Sequence, residues 1–490
     1  MKILIIDNFS TNFGTSILSA VLKKAGHEVV LQNYKLSKWK GIDQYTNPQK
    51  YFPFDKISES AIETTPDVIF FSVFSANYMF YKHTAEAIRH KTDIPILIGG
   101  VLPTLAPDLF MNDSCCDYLF RGDGEPVILD LIEKISNGKY QDVPNLVYRG
   151  ETGEIIKNEM TSFVKNVNEI PFYDKHLYPD CFDSMLRVFS SRGCPLACAY
   201  CSAGAYSKVV AMPGEKTVRK RTVDNVIEEI KEALEIRPYK DIYFYDDFFI
   251  TTKQWMSEFA EKYKKEINLP YSCLAFPASV AKKEIPALLA ESGCKFISMG
   301  FQTANDEYKK KVLRRNETNA MVVTAMRNLD EVGIKYALDH IFNLPGETRE
   351  HVKESLDFYV DNNFRDNSRR SLTIYFLNYY PDSPFVTYAN ENGYFTSEQY
   401  SKIMKNEMLG EQSFKGTILD EKKAKEQVQY ALLFRMISLL PGKWIKMMFK
   451  NNIQKFFPTN KYLYYFTSVV TTLRLIGMNK LQYVLKITPK

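Results

Sequence analysis

The sequence has no low-complexity segment, no internal repeat and only eight cysteines among its 490 residues. So few cysteines, three of them in one short run, do not form a disulfide framework, which favours a reducing cytoplasm. Residues 1–7 read directly as a core strand, so we expect no signal peptide. An exported, disulfide-stabilised protein is therefore not expected.

What remains is the composition of a globular protein. Hydrophobic residues make up 45% of the chain and charged residues 25%. A chain of 490 residues exceeds one ordinary domain. We expect two or three domains.

Three of the cysteines lie in the run Ser-Arg-Gly-Cys-Pro-Leu-Ala-Cys-Ala-Tyr-Cys-Ser, at Cys194, Cys198 and Cys201. Thiolates with this spacing can bind three irons of a [4Fe–4S] cube and leave the fourth iron without a protein ligand. Gly193 and Pro195 suit a loop that bends tightly around an inorganic core. The run therefore predicts an iron–sulfur site that is open to a substrate or cofactor.

Two other interpretations of the cysteine run are open. A structural zinc site needs a fourth ligand, which no second Cys-x-x-Cys and no nearby Cys/His pair supplies. A buried thiol cluster without a metal is the other interpretation, since cysteine packs as a small hydrophobe. The remaining cysteines have no ligand spacing and are interpreted as packing residues: Cys115, Cys116, Cys181, Cys273 and Cys294.

Short apolar runs alternate with helical patterns over residues 1–140, which predicts an α/β, doubly wound domain. Strands are expected at 2–7, 28–31, 67–74, 94–98 and 118–120, and helices at 15–25 and 78–90. Continuous apolar runs are typical of strands that are buried on both faces of a parallel sheet. Ligands of such sheets bind beyond the carboxyl ends of the strands.

Residues 141–185 read as a linker with a short hairpin, and residues 186–390 return to strand and helix alternation. This alternation predicts a (β/α) barrel, closed or partial, with its chemistry at the carboxyl ends of the strands. The cysteine run follows the first of these strands, at 186–189. Residues 391–490 are expected to form a helical, basic C-terminal region.

The Cys-x-x-x-Cys-x-aromatic-Cys pattern, with Tyr200 as the aromatic residue, resembles the signature of the radical S-adenosylmethionine (SAM) enzymes. The resemblance implies a [4Fe–4S] cluster held by Cys194, Cys198 and Cys201, with SAM chelated to the open iron. Reductive cleavage of SAM in that family gives a 5′-deoxyadenosyl radical, and Tyr200 is expected near the adenine. An electron donor such as a flavodoxin or ferredoxin is implied as well.

The N-terminal region resembles the flavodoxin-like cobalamin-binding domain that precedes many radical SAM domains. The resemblance is carried by Gly99, Gly100 and Thr104 in one stretch and by Gly122 and Glu125 in another. It implies cobalamin as a cofactor; ordinary turn glycines of an α/β domain are the alternative. The Asp-x-His-x-x-Gly pattern that supplies a histidine to cobalt is absent, because Phe9 and Asn12 occupy the corresponding places after Asp7.

Other strand ends match the radical SAM pattern. Asp246 and Asp247 are implied to bind the SAM ammonium, with a helix N-cap as the alternative. Gln302 stands where the family usually has the acid that binds the ribose, and an amide can still pair with hydroxyls. The segment from Leu344 to Thr348 resembles the family's Leu-Pro-Gly-Glu-Thr turn, whose Glu347 equally suits a helix cap.

Together the two resemblances imply a cobalamin-dependent methyltransferase that acts on an unactivated carbon through a 5′-deoxyadenosyl radical and methylcobalamin. A radical SAM cyclase or rearrangement enzyme with non-methylating cobalamin is the alternative. A non-catalytic iron–sulfur redox protein would leave the strand ends of the barrel without a purpose. The substrate is open between a small molecule, a lipid and a peptide.

The tail from residue 431 contains ten Lys or Arg and no Asp or Glu, interleaved with aromatic residues. The formal charge of the whole chain is only +5, so the residues before the tail are acidic overall. Its longest uncharged run, 462–473, is far shorter than the roughly 20 residues that span a bilayer. Peripheral contact with the inner face of a membrane and a basic cap packed on the barrel are both open. Nucleic acid is not expected.

Overall fold

The computed structural model describes residues 1–35, 47–112, 115–178, 185–381, 383–410 and 414–476. It divides into two compact units. The first unit contains Met1–Tyr239, Tyr379–Asn392 and Thr396–Leu409. The second contains Lys240–Asn378, Gly393–Phe395 and Gly410–Lys490.

The first unit contains ten described strands. They are β1 (Lys2–Asp7), β2 (Glu28–Asn33), β3 (Val68–Ser72), β4 (Ile96–Gly99), β5 (Tyr118–Phe120), β6 (Leu146–Arg149), β7 (Ile155–Lys157), β8 (Met185–Val188), β9 (Ser191–Arg192) and β10 (Arg219–Lys220). Its described helices are α1 (Phe13–Lys24), α2 (Phe54–Glu63), α3 (Tyr78–Arg89), α4 (Val101–Leu105), α5 (Pro107–Met111), α6 (Ile128–Asn137), α7 (Ser202–Val210), α8 (Val223–Ile236), α15 (Pro384–Glu391) and α16 (Ser397–Met404).

The first seven strands form one sheet in the order β2-β1-β3-β4-β5-β6-β7. Strands β1 to β5 run parallel to one another, whereas β6 pairs antiparallel with β5, and β7 pairs antiparallel with β6. The hairpin that the sequence predicts within the linker is present, and it extends this sheet. The carboxyl ends of β1, β3 and β4 therefore lie along one edge, as a doubly wound domain requires.

Two hydrophobic clusters cover the two faces of this sheet. Leu4 and Ile6 of β1 belong to one cluster, and Ile3 and Ile5 belong to the other. This follows from the strand period of two, which sends successive side chains to opposite faces. A strand that is buried on both faces needs a continuous run of apolar residues. Such a run predicts β1 with its observed bounds.

The second unit contains the described strands β11 (Asp241–Phe244), β12 (Tyr271–Ala275), β13 (Cys294–Gln302), β14 (Lys335–Phe342) and β15 (Arg370–Phe376). Its described helices are α9 (Lys253–Glu266), α10 (Pro277–Val280), α11 (Glu284–Glu291), α12 (Asp306–Lys311), α13 (Asn319–Val332), α14 (Arg349–Asp361), α17 (Glu421–Met436), α18 (Gly442–Lys450) and α19 (Lys461–Ile476).

Strands β11 to β15 pair in sequence order, and every pair is parallel. Helices connect successive strands, as in a (β/α) barrel. The predicted fold class, a doubly wound domain followed by a partial barrel and a helical C-terminal segment, is confirmed. Strand β15 was not predicted, because Arg370, Ser371 and Thr373 interrupt its apolar pattern.

The C-terminal helices pack within the second unit. On α18, Ile445 and Phe449 are buried, and Arg349 of α14 lies over the Phe449 ring at 4.3 Å. On α19, Tyr464 is buried beneath Arg435, whose guanidinium carbon lies 4.3 Å from the ring centroid. Among the described residues, no helix has the length and apolar character needed to cross a bilayer.

Candidate active site

The cysteine loop follows directly after the first strand of a two-stranded ribbon. Strand β9 pairs antiparallel with β10, and the chain turns at Gly193, whose φ is +86°. A Cβ atom at Gly193 would lie 2.1 Å from the carbonyl oxygen of Thr217. Only glycine fits this turn, since the backbone angle and the close approach both exclude a side chain.

All three cysteines lie between this turn and helix α7. Cys194 and Cys198 are buried and Cys201 is half-buried at the N-cap of α7. The N–H of Cys194 donates to Oγ of Ser207 at 3.1 Å, and the N–H of Cys201 donates to the carbonyl oxygen of Cys198 at 3.2 Å. The first bond holds the loop against α7, and the second closes a turn within the loop.

The chemistry of this donor set fits an iron–sulfur cube with one open iron. Three thiol side chains lie on one short loop, and the described part of the chain contains no converging group of three His, Cys, Asp or Glu side chains that would form a ready-made metal site. A structural zinc site needs four ligands, whereas three thiolates are enough for a cube that keeps one iron open. Of the other cysteines, Cys115, Cys116, Cys273 and Cys294 are buried, as packing residues are. Cys181 lies outside the described residues.

Tyr200 lies next to the third cysteine, and its ring packs edge-on against Phe385 of α15, with centroids 6.4 Å apart. Its expected place near the adenine of SAM stays a prediction.

The candidate acids Asp246 and Asp247 follow β11 directly. Asp246 is fully buried, and burial, followed by the neighbouring Asp246 charge, raises the pKa of Asp247. The alternative, a helix cap, is not what the structure shows, because Thr252 caps α9 by accepting from the N–H of Trp255 at 3.2 Å. Two adjacent carboxyl groups, one buried at Asp246 and one reaching the surface at Asp247, suit a cation such as an ammonium.

Gln302 ends β13 in an unusual backbone conformation. Its φ is +68°, and the pairing register with β14 shifts between Gly300 and Gln302. The Oε1 atom of Gln302 is buried, and no hydrogen-bond partner for it exists among the described residues. An amide oxygen in this state can accept a hydrogen bond from a ligand hydroxyl, as the ribose assignment requires.

Glu347 lies in the turn before α14. Burial raises the pKa of its carboxyl to about 8, against smaller lowering by Lys423, and neither carboxylate oxygen has a hydrogen-bond partner among the described residues. It is not the helix cap, since the Thr348 hydroxyl accepts from the N–H of His351 at 3.3 Å.

The residues that resemble a cobalamin site join two loops of the first unit. Thr104 Oγ1 donates to the carbonyl oxygen of Gly100 at 2.7 Å and accepts from the N–H of Gly122 at 2.9 Å. A Cβ at Gly99 would lie 2.2 Å from the Phe120 ring. Glu125 forms an ion pair with Arg192, beside the cysteine loop. The assignment of these five residues to cobalamin stays a prediction.

Sequence reasoning missed Asn8, at the carboxyl end of β1. Its side chain is buried, and neither the amide nitrogen nor the amide oxygen has a hydrogen-bond partner in the described structure. The neighbouring ring of Phe9 packs edge-on against Phe74, with centroids 5.8 Å apart. A buried amide without a partner is costly unless a ligand or water satisfies it, so this edge of the sheet fits a ligand with polar groups such as cobalamin.

Asp339 was also missed, because a lone acid within an apolar strand gives no motif. It lies on β14, and Ser298 Oγ donates to both of its carboxylate oxygens at 2.9 Å. Burial raises its pKa to about 6, against smaller lowering by Ser298, Thr373 and Arg315. The second unit therefore contains a carboxyl group that titrates near neutral pH.

Comparison with protein families finds two domains. Residues 6–132 match the B12 binding domain, and residues 188–359 match the radical SAM superfamily. The first domain implies cobalamin, and the second implies a [4Fe–4S] cluster and SAM.

Curated relatives carry methyltransferase names. An uncharacterized methyltransferase of Pyrococcus horikoshii is 25% identical over 62% of this chain and 66% of its own. The bacteriochlorophyllide d C-12(1)-methyltransferase of Chlorobaculum tepidum is 21% identical over 65% and 67%. The hopanoid C-2 methylase of Rhodopseudomonas palustris is 24% identical over 53% and 46%. The chain thus spans about half to two thirds of the length of these relatives.

Solved structures share the fold. The cobalamin-dependent SAM radical enzyme OxsB, with aqua-cobalamin and SAM bound, has a TM-score of 0.64 at 16% identity, over 93% of this chain and 71% of that one. The radical SAM methyltransferase TsrM of Kitasatospora setae has a TM-score of 0.61 at 17% identity, over 80% and 76%. With both domains matched in this order, the chain belongs to the radical SAM enzymes that carry a cobalamin-binding domain.

Proposed function

We propose that this enzyme transfers a methyl group to an unactivated carbon of a small molecule. The observation that carries the proposal is the presence of the three-cysteine loop and a B12 binding domain in one chain. When bound, SAM and cobalamin would supply the radical that removes a hydrogen atom and the methyl group that replaces it. The protein positions these groups and excludes water.

Each candidate residue has a part in this positioning. Cys194, Cys198 and Cys201 would hold three irons, and Asp246 with Asp247 would accept the SAM ammonium. The partnerless Oε1 of Gln302 would accept a ribose hydroxyl, and Tyr200 would lie near the adenine. What supports these roles is the burial of Cys194, Cys198 and Asp246, together with the buried Oε1 of Gln302 that has no partner among the described residues.

On the cobalamin side, Gly99, Gly100, Thr104, Gly122 and Glu125 would shape the site, with the amide of Asn8 as a further partner. No histidine follows Asp7 at the position of the cobalt ligand, since Phe9 stands there.

The substrate and the electron source are proposed by class. The relatives' names include a tetrapyrrole and a hopanoid, and one TsrM structure holds tryptophan. We propose a small molecule, lipids included, as substrate, and a flavodoxin or ferredoxin as the donor of the electron that cleaves SAM.

The test uses SAM with an isotopically labelled methyl group. The anaerobically reconstituted and reduced full chain is incubated with labelled SAM and a small-molecule extract. Formation of 5′-deoxyadenosine together with label in a new, methylated product supports methyl transfer. Deoxyadenosine with the label found only in SAM and in the methionine released from it contradicts methyl transfer and favours the alternative, cyclisation or rearrangement. No deoxyadenosine at all contradicts radical SAM chemistry.

We propose as a second activity that the C-terminal helices touch an anionic membrane surface at the cytoplasmic side. The inner faces of α18 and α19 pack as a cap, but exposed aromatic residues lie on their outer faces and on the segment that joins them. They are Trp444 of α18, Phe456 of the joining segment at 86% exposure, and Tyr462 at 83% and Phe466 at 63% on α19. Tyr462, Phe466 and Val469 share one face of α19 because they are spaced by four and three residues.

Exposed cations flank these rings, at Lys443, Lys450 and Lys455. Each cation near an anionic surface contributes about 1 kcal/mol, and aromatic rings favour the interface. Lys446 is not counted among these cations, because it already forms ion pairs with Asp361 at 2.7 Å and with Asp357 at 3.3 Å.

The measurement is co-sedimentation with phosphatidylglycerol and with phosphatidylcholine vesicles. The full chain should pellet with the anionic vesicles at low salt and be released as salt rises. Replacing Phe456, Tyr462 and Phe466 with Ser should abolish pelleting. Replacing three exposed apolar residues elsewhere, Leu129, Ile236 and Met321, with Ser should leave it unchanged. A full chain that stays in the supernatant contradicts the proposal.

A further inference from the structure

Two arginines face each other across the ribbon that leads into the cysteine loop. Arg192 of β9 is the direct register partner of Arg219 of β10. Both guanidinium groups are largely withdrawn from solvent, with side-chain exposures of 23% and 9%. Like charges directly opposite each other destabilise an antiparallel pair. The ribbon therefore needs anions to compensate this pair.

The loop after β5 in the B12 binding domain supplies them. Asp123 accepts from Arg192 Nη1 at 3.4 Å through Oδ1 and from Arg219 Nη1 at 2.5 Å through Oδ2. Glu125 accepts from Arg192 Nη2 through Oε1. The N–H of Val164 also donates to Asp123 Oδ2, at 3.0 Å. Two cations and two anions thus form one network, which we name the arginine clamp: Asp123, Glu125, Arg192 and Arg219.

The charges of the clamp depend on one another. Burial alone would raise the pKa of Asp123, but Arg192 and Arg219 more than offset it, and the net shift is downward. Arg192 is held by both acids, through Nη1 on Asp123 and Nη2 on Glu125. Removing one member leaves a charge that burial penalises.

The clamp adjoins the first cluster ligand. Arg192 is separated from Cys194 only by Gly193, where the chain turns with a φ of +86° and has no room for a side chain. Because only one residue lies between them, the position of Arg192 constrains that of Cys194. Fixed charges close to an iron–sulfur cluster also help to set its reduction potential.

We propose that Asp123 and Glu125 are positioning residues for the iron–sulfur cluster: by holding Arg192 they fix the place of Cys194, and their negative charges keep the reduction potential of the cluster low. The inference rests on the cluster part of the proposed function. Glu125 stands at a position that resembles part of a cobalamin site, and the inference gives it a role toward the iron–sulfur cluster. The B12 binding domain thus stabilises the radical SAM site even before cobalamin binds.

The test compares Glu125→Gln, Glu125→Asp and Asp123→Asn with the wild-type chain and with Glu151→Gln, which changes an exposed acid of the first unit outside the clamp. Each protein is reconstituted with iron and sulfide. Iron content after gel filtration, the EPR spectrum of the reduced cluster and its midpoint potential are then measured. Circular dichroism of the apo proteins reports whether each variant is folded.

Glu125→Gln and Asp123→Asn should lose iron faster than the wild type and have a more positive potential, because an anion has been removed. Glu125→Asp keeps the charge and should restore the potential in part, and Glu151→Gln should match the wild type. Wild-type potential, EPR spectrum and iron content in a folded Glu125→Gln variant would overturn the inference. If Glu125→Gln does not fold, the comparison of Asp123→Asn with Glu125→Asp decides in the same way.

The same measurements distinguish a failure of the proposed function from a failure of the clamp. A wild-type chain that binds no cluster contradicts the iron–sulfur assignment itself. A wild-type chain with a full cluster whose properties are insensitive to both acids contradicts only the clamp.

Discussion

Tyr178 donates a hydrogen bond from its phenol to Oδ2 of Asp7 at 2.6 Å, and this bond joins the carboxyl end of β1 to the segment after the hairpin. Asn12 donates to the same oxygen at 3.1 Å, while the backbone N–H groups of Asn8 and Phe9 donate to Oδ1 at 2.7 Å and 3.0 Å. Burial raises the pKa of Asp7 in spite of these bonds. Asp7 therefore organises the edge of the sheet where ligands of doubly wound domains bind.

Tyr178→Phe should loosen this edge. The change removes a donor from a buried carboxyl group, which costs about 1–3 kcal/mol. Hydrogen exchange of the peptide that covers residues 1–14 should become faster, as read by mass spectrometry. Tyr462→Phe, at an exposed position, serves as the control and should leave the exchange unchanged. Equal protection in Tyr178→Phe and the wild type would show that Asp7 does not need this bond.

Glu347 should make the second unit less stable as pH rises. Its pKa is about 8 in the folded chain, compared with 4.5 for an ordinary glutamate, so the folded state binds a proton that the unfolded state has lost between these values. The stabilising contribution is complete below pH 4.5 and is lost progressively up to about pH 8. One pKa unit corresponds to about 1.4 kcal/mol, so the full change is a few kcal/mol.

Thermal unfolding between about pH 5 and pH 8 measures this effect. Glu347→Gln should flatten the dependence on pH and unfold at a higher temperature than the wild type at pH 8. Glu350→Gln, an exposed glutamate at the start of α14, should keep the wild-type dependence. An equally steep profile in Glu347→Gln would contradict the assignment of the titrating group.

Asp246→Asn and Thr252→Ala separate SAM binding from helix capping. Loss of the Asp246 charge should weaken SAM binding roughly tenfold or more, because a charge-assisted hydrogen bond contributes about 1.5–3 kcal/mol. Thr252→Ala should lower stability by about 1 kcal/mol through loss of the α9 cap and leave SAM affinity unchanged. Calorimetric titration with SAM and urea unfolding supply the two readouts. SAM affinity that survives Asp246→Asn would exclude Asp246 from the ammonium site.

The sequence is most informative where one local rule decides the structure. Continuous apolar runs predict β1 and β5 with their observed bounds, because strands buried on both faces need such runs. The cysteine loop is recognisable because its three candidate ligands lie close together in sequence, and the alternation of strands and helices identifies the barrel.

The arginine clamp could not be predicted in this way. Glu125 and Arg192 are 67 residues apart, and nothing local to either residue specifies its partner. Asp339 likewise resembles a surface residue in sequence, and only the pairing of β13 with β14 brings Ser298 to it. Interactions of this kind depend on tertiary structure, whereas motifs depend on spacing along the chain.

Cys194→Ala, Cys198→Ala and Cys201→Ala should each abolish the visible absorption of the cluster and the formation of 5′-deoxyadenosine. Each change removes one of only three iron ligands from the protein. Cys273→Ala, at a buried cysteine of the second unit, should retain both properties, apart from a modest loss of stability. Full iron occupancy with activity in any of the three loop variants would refute the assignment of that ligand.

Cobalamin should bind to the B12 binding domain without a histidine on cobalt. Phe9 cannot coordinate a metal, and the buried amide of Asn8 beside it should instead pair with a polar group of the bound cofactor. The EPR spectrum of the Co(II) form should therefore lack nitrogen splitting from a protein imidazole. Asn8→Ala should weaken retention of cobalamin on gel filtration several-fold, because a hydrogen-bonded buried amide is worth about 1 kcal/mol or more. His27→Ala should change neither result, and imidazole splitting that disappears in His27→Ala would contradict the prediction outright.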